Sequence, residues 1–358
     1  MLSATLLILS TLPAALASDA TELAPWLRGD VVVDYQFSAE NARLLEDDTQ
    51  VGSRQIQDSQ LSFGGDFTFA PGAALTFAIP YFAGTKISYT DATDMAIDPT
   101  TDSGTMLDTE VLDPQPAIYG KGLGGAWIGL RGTPFSEALF PKRGDKVTWM
   151  LEASYRFRDR SNLWTTEGTD RGAGPGSAAF KLGTAFSTTI GWSQPYVSLS
   201  LLRSVPLRDI ENTGLQSDQV IQTASTLDMT AGTEIVAISS PSSGARLAFD
   251  LHGNFGLDSW QDIPSGVMLP SVLDASKSLV ATEGEHSYVN GGLTVRYRAF
   301  EWVQLDLGGD VGMVMPYQVE HFYPVDTGMG TLAWSMNTRL TMRGRDKPER
   351  FPWEPKAE

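Results

Sequence analysis

The chain has 358 residues, enough for one large β domain or two ordinary ones. Aromatic residues at 10%, charged residues at 19% and 35 glycines exclude a disordered polymer. A net charge of −17 argues against nucleic acid as a partner, and the absence of cysteine excludes disulfides and thiolate chemistry.

The apolar run "LLILSTLPAALA" (6–17) ends in Ala15-Leu16-Ala17 and reads as a secretory signal peptide over 1–17, although no positive segment precedes it. A buried N-terminal strand or helix is the alternative. No later run is long and apolar enough for a transmembrane helix, so an exported chain is periplasmic, secreted, or an outer-membrane barrel.

The first predicted strand, "WLRGDVVVDYQFS" (26–38), alternates with a period of two. Leu27, Gly29, Val31, Val33, Tyr35 and Phe37 share one face, and Arg28, Asp30, Val32, Asp34, Gln36 and Ser38 lie on the other. Eleven more follow: 61–70, 75–82, 126–132, 147–157, 178–187, 195–205, 225–237, 246–255, 288–298, 303–314 and 332–343. Many are long for soluble strands but suit a tilted bilayer crossing, and twelve is the even number that bacterial barrels need.

The connections choose between a sandwich and a barrel. Odd-numbered gaps run to about 17–43 residues and even-numbered ones to about 4–14, the alternation of outer loops and periplasmic turns. The predicted fold is therefore an all-β, transmembrane antiparallel up-and-down barrel of twelve strands over 18–344, apolar face to lipid and polar face to the lumen. Residues 345–358 form a polar periplasmic tail. Trp26, Trp149, Trp192 and Trp302 fall at one set of strand ends, and Tyr35, Phe37, Tyr155 and Phe157 at the other, as two headgroup-level girdles require. Barrels usually close their last strand with an aromatic residue. Here the strand stops near Arg343, so either an internal signal around Trp334 to Met342 suffices or one strand is misassigned.

The candidate lumen carries both charge signs. Its acidic positions are Asp30, Asp34, Asp66, Glu152, Asp228, Glu234, Asp250, Asp306 and Asp310. Its basic positions are Arg28, Arg131, Arg156, Lys181, Arg246, Arg296, Arg298, Arg339 and Arg343, with His252 beside them. Eight strands are filled by side chains and sixteen leave an open channel, so twelve predict a narrow, partly blocked lumen. The charges then form either a selective constriction or a salt-bridged plug. Pairing through the turn at 299–302 should bring Arg296 beside Asp306 and Arg298 beside Gln304.

Other motifs carry little. The acidic second outer loop (Asp91, Asp94, Asp98, Asp102, Asp108, Glu110, Asp113) lacks calcium-loop spacing and reads as a solvated face. Gly120, Gly122 and Gly125 match a dinucleotide fingerprint, but a strand follows them rather than a helix. The "RGD" triplets at 28–30 and 143–145 fall in a strand and a periplasmic turn. His252, His286 and His321 are isolated in sequence, and His252 joins the lumen network.

"GPGSAAFKLGTAFSTTIGW" (174–192) with "PYVSLSLL", and "GLGGAWIGLRGTPF" (122–135), resemble the outer-membrane proteins of the meta-pathway of phenol degradation, relatives of the long-chain fatty-acid transporter. Gly125 stands where that family often has an acidic residue. The resemblance covers about the middle third of the chain and implies passage of small hydrophobic or aromatic compounds. Strand one begins too soon after the leader for a counterpart of the transporter's N-terminal plug.

Three functions are in play: a channel or uptake protein for small solutes, a non-conducting structural or surface-interaction barrel, and a barrel hydrolase using His252 or His321. The channel is the leading expectation, not an enzyme and without cofactor or metal. Its expected partners are outer-membrane lipid, a small-molecule solute and the barrel assembly machinery.

Overall fold

The computed structural model describes residues 28–46, 49–90, 118–135, 147–158, 176–206, 222–240, 243–264, 280–320, 324–327 and 331–344. The leader, Trp26, the acidic loop, the second "RGD", His321 and the tail at 345–358 lie outside them.

Seventeen strand segments are present: β1 Arg28–Glu46, β2 Thr49–Ala70, β3 Ala73–Thr90, β4 Ile118–Leu123, β5 Trp127–Phe135 and β6 Val147–Arg156. Next come β7 Ala179–Thr188, β8 Ser193–Ser204, β9 Thr226–Ser240, β10 Ala245–Asp258, β11 Gln261–Pro264 and β12 Val280–Glu283. The last are β13 His286–Phe300, β14 Val303–Val314, β15 Gln318–Glu320, β16 Pro324–Thr327 and β17 Thr331–Arg343. Five are continuations (β4 into β5, β10 into β11, β12 into β13, β14 into β15, β16 into β17), so the segments make twelve staves. Each predicted strand falls on one stave, in order.

Every neighbouring pair is antiparallel, and β17 closes on β1 from Asp30↔Arg343 to Asn41↔Leu332. The last predicted strand is therefore a real stave and forms the seam. Closure satisfies the backbone without leaving a sheet edge, which a lipid-spanning sheet requires.

Alternation fixes what each face meets. Val31, Tyr35, Phe63, Phe67, Leu130, Leu151, Leu182, Leu199, Met229, Leu251, Leu293, Leu307 and Leu340 point outward and are exposed. Gln36, Asp58, Arg131, Asp228, Glu234, Asp250, Arg296 and Asp310 point inward and are buried. An apolar band on all sides would aggregate in water and is stable only in lipid. Aromatic rings flank the band. Trp149 stacks between Phe135 (5.9 Å) and Phe186 (5.8 Å) near the tight turns, with Phe300 on Trp302 (5.8 Å). Phe37 meets Trp334 (5.2 Å) and Tyr155 meets Phe157 (5.0 Å) toward the other end. The chain is a transmembrane β-barrel of the bacterial outer membrane.

The first predicted outer loop, 39–60, is instead mostly strand. β1 and β2 run for 19 and 22 residues and are joined across 47–48. Asn41, Arg43 and Gln50 are exposed on its outward side, so this stretch meets water rather than lipid and lacks the apolar alternation that marks a crossing. The ladder itself continues from Arg28↔Thr68 to Glu46↔Thr49, with a shift at Leu44/Leu45. The last outer connection is shortened in the same way by β15 and β16.

The end with connections at 71–72, 189–192 and 301–302 is called the turn end, and the opposite end the loop end. With the usual orientation, a tag inserted near Thr101 is expected to be labelled on intact cells and one at Gly144 to be protected. Labelling of both, or only of Gly144, would reverse the assignment.

Candidate functional site in the barrel lumen

The lumen is organised in rows that follow the strand pairings. One row places Arg296, Asp306, Arg339 and Asp34 on β13, β14, β17 and β1, each directly opposite the next. Opposite charges at paired positions attract without side-chain reach being wasted, so alternating signs suit such a row. Arg296 Nε lies 3.7 Å from Asp306 Oδ2, and Arg339 Nε 3.8 Å from Asp34 Oδ1. Arg298 Nη2 donates to Gln304 Oε1 at 3.4 Å, so both expected pairings across the 299–302 turn occur.

On the β8–β14 side the charges fill the interior. Glu234, 1% exposed, accepts from both Arg246 and Arg296. Arg296 Nη2 also lies 3.5 Å from Asp250 Oδ2, which shares its carboxylate with Tyr196 Oη (2.9 Å to Oδ1). Tyr288 donates to Asp228. His252 Nε2 is 2.6 Å from Asp310 Oδ1, and Ser335 Oγ donates to Asp310 Oδ2 at 3.1 Å.

The two lumen tyrosines escaped the sequence reading, which counted only charges. Their signal is a glycine on the paired inward position, Gly232 opposite Tyr196 and Gly256 opposite Tyr288. A Cβ at Gly232 would sit 2.7 Å from the Tyr196 ring, and one at Gly256 would run into Tyr288. The glycines let each ring lie flat on its neighbour strand, which is how this half closes.

On the β1–β7 side several of the inward residues are small. The row Asp66, Thr76, Gly129, Ser154, Lys181 crosses five adjacent strands with little bulk at its centre. A chamber of ≈ 170 Å³ results, bounded also by Asp34, Gln36, Gln60, Ser62, Gly64, Ala78, Trp127, Arg131, Glu152 and Arg339. Arg131 spans two acids, with Nη1 3.0 Å from Asp66 Oδ2 and Nη2 3.7 Å from Glu152 Oε2. Lys181 Nζ lies 3.9 Å from Glu152 Oε1.

Arg28, Asp30 and Arg156 are further residues expected in the lumen. Arg28 Nη2 pairs with Asp30 Oδ2 at 2.8 Å near the turn end. Arg156 donates to the Ser177 carbonyl (3.2 Å) and hydroxyl (3.1 Å) and lies over the Trp127 ring at 5.4 Å.

At the loop end a further cluster was hidden from the sequence, because half of it falls in the supposed first loop. Arg54 Nη2 meets Glu40 Oε1 at 3.3 Å and also donates to Tyr317, whose hydroxyl donates to Glu40 Oε1 at 3.3 Å. His286 stacks on Tyr317 at 4.3 Å, and its Nε2 is 3.3 Å from Asp258 Oδ2. Arg54, Ile56, Glu40 and Gln261 are each at most 1% exposed, so side chains pack this end of the interior.

Among the described residues no group of three or more His, Cys, Asp and Glu side chains is placed to hold a metal. Among the same residues no helix is long and apolar enough to cross a membrane.

No family model and no curated protein sequence matches the chain. Solved structures similar to it include the COG4313 outer membrane channel from Pseudomonas putida F1, at 13% identity and TM-score 0.49, covering 89% of this chain and 96% of that one. A FadL homologue from Pseudomonas aeruginosa follows at 8% and 0.41, with 91% and 94% covered. The outer membrane protease OmpT from Escherichia coli follows at 7% and 0.33, with 89% and 97% covered. Likeness at this level is one of general barrel shape, shared by channels and a protease, and it assigns no activity.

Proposed function

We propose that the barrel is a passive channel or uptake protein for small solutes, with the chamber on the β1–β7 side as their route. The observation that carries this is the chamber itself, an opening of ≈ 170 Å³ among the inward side chains of β1–β7 where Ser62, Thr76, Ala78 and Ser154 are small. A protein needing only a stable wall has no use for such an opening. The loop end is packed by Arg54, Glu40 and Tyr317, so conduction in this account requires those contacts to part.

Ion conductance and solute uptake in reconstituted liposomes test the reading. Permeation by the natural protein supports it, and permeation is expected to be larger in Arg54→Ala. The same packing favours the second reading, a non-conducting barrel that presents its loops, and silence from both folded proteins would establish that one. The expectation of hydrophobic or aromatic solutes rests on the family resemblance, and the assembly machinery as a partner rests on the barrel class.

The barrel is read as non-enzymatic. His252 contacts Asp310, and Ser335 bonds the same Asp310 rather than the imidazole, so no hydroxyl is set for activation there. Hydrolysis of ester or peptide substrates by the refolded protein would overturn this.

Removing Arg296 and Arg298 together leaves Glu234, Asp250 and Asp306 with less counter-charge in the part of the lumen beside that route. Arg296→Ala with Arg298→Ala is therefore expected to shift ion preference toward cations while assembly persists. Reversal potentials under a salt gradient read this directly, and an unchanged value in a folded double variant would make the arginines purely structural.

A further inference from the structure

We infer that the chamber is a binding site for an uncharged, hydroxyl-rich ring the size of a monosaccharide. The inference deepens the channel reading and rests on it only for the solute's route.

Size comes first. A cavity of about 150 Å³ takes up a benzene ring, so the chamber, at ≈ 170 Å³, holds a single ring, and the substituents of a sugar would reach its polar walls. Charge comes next. Asp34, Asp66 and Glu152 are offset by Arg131, Lys181 and Arg339, so the lining is balanced and gives neither an anion nor a cation a net field to enter.

Hydrogen bonding then separates a polyol from an apolar ring. Gln36 is 3% exposed and lines the chamber, yet its Nε2 has no hydrogen-bond partner among the described residues. Two residues away on the same face, Asp34 Oδ1 also accepts no hydrogen bond, its arginine standing 3.8 Å off. A donor and an acceptor are thus carried two residues apart on one face of β1. A hydroxyl group satisfies both kinds, accepting from the amide and donating to the carboxylate. An apolar ring would cover both and satisfy neither, at the full desolvation cost. Across the chamber Trp127 offers an indole edge or face to the C–H side of such a ring.

Glucose is the probe, added to the whole protein in amine-oxide micelles so that no sugar detergent competes. Saturation-transfer NMR is expected to show glucose binding, with toluene and benzoate giving weaker transfer. Gln36→Leu is expected to weaken glucose about fivefold, as for the loss of one hydrogen bond. Absent glucose binding in the folded protein, or toluene bound in preference, overturns the inference; the solute series on the natural protein decides this even if the variant does not fold. An unchanged affinity in folded Gln36→Leu also overturns it. Glucose binding with impermeable vesicles would leave the site standing and remove the channel, whereas ion conductance without glucose binding would do the reverse.

Discussion

Leu151→Arg is expected to cut the yield of inserted barrel sharply, at a cost of about 2–4 kcal/mol for a guanidinium near the bilayer midplane. Leu151 sits in the middle of β6 with its side chain outward and exposed. Glu152, one residue on, points inward to Arg131 and Lys181. Glu152→Gln should cost less, because the amide oxygen still accepts from Arg131 and Lys181, Arg131 keeps Asp66, and no apolar contact is lost. Folding yield into lipid vesicles, followed by the gel shift of the heat-resistant barrel, measures both. Equal losses would mean that the strand faces are reversed, since a one-residue slip exchanges the two sides of a strand.

Glu234→Ala should cost still more, about 3–5 kcal/mol, because removing one member of a buried ion cluster strands its partners. Here two guanidinium groups, Arg246 and Arg296, converge on one carboxylate. Asp250 and Asp306 can take up part of the Arg296 charge, which places the loss toward the lower end of that range. Denaturant midpoints of the barrel in lipid give the number, and a variant as stable as the natural protein would show that water in the lumen screens the cluster.

Much of the fold was legible because a lipid-facing strand writes its orientation into every second residue. "VTWMLEASYRF" on β6 and "VQLDLGGDVGMV" on β14 show which side is lumen without any further information, and the register of Arg296 against Asp306 followed from the turn between them. Where the bilayer stops, the code stops. Residues 39–60 have polar groups on both faces, so the tall β1–β2 hairpin read as a loop and Arg54 and Glu40 went unnoticed.

The site was half legible for a related reason. Charged residues on an inward face announce themselves, but empty space does not. The chamber is lined in part by what is small, Ser62, Thr76, Ala78 and Ser154 on three staves of one side, and only the pairing of the strands there reveals it. Gln36 reads as one more polar position until its burial and lack of partner are seen.

The central claim is that one half of this lumen is a path. Liposomes carrying the purified, folded protein test it most directly, with ion conductance and solute-driven swelling measured on the same preparation and on Arg54→Ala. The account expects permeation above that of protein-free vesicles, larger in Arg54→Ala once the loop-end contact with Glu40 and Tyr317 is removed. Vesicles that remain impermeable with both proteins fully inserted would contradict it.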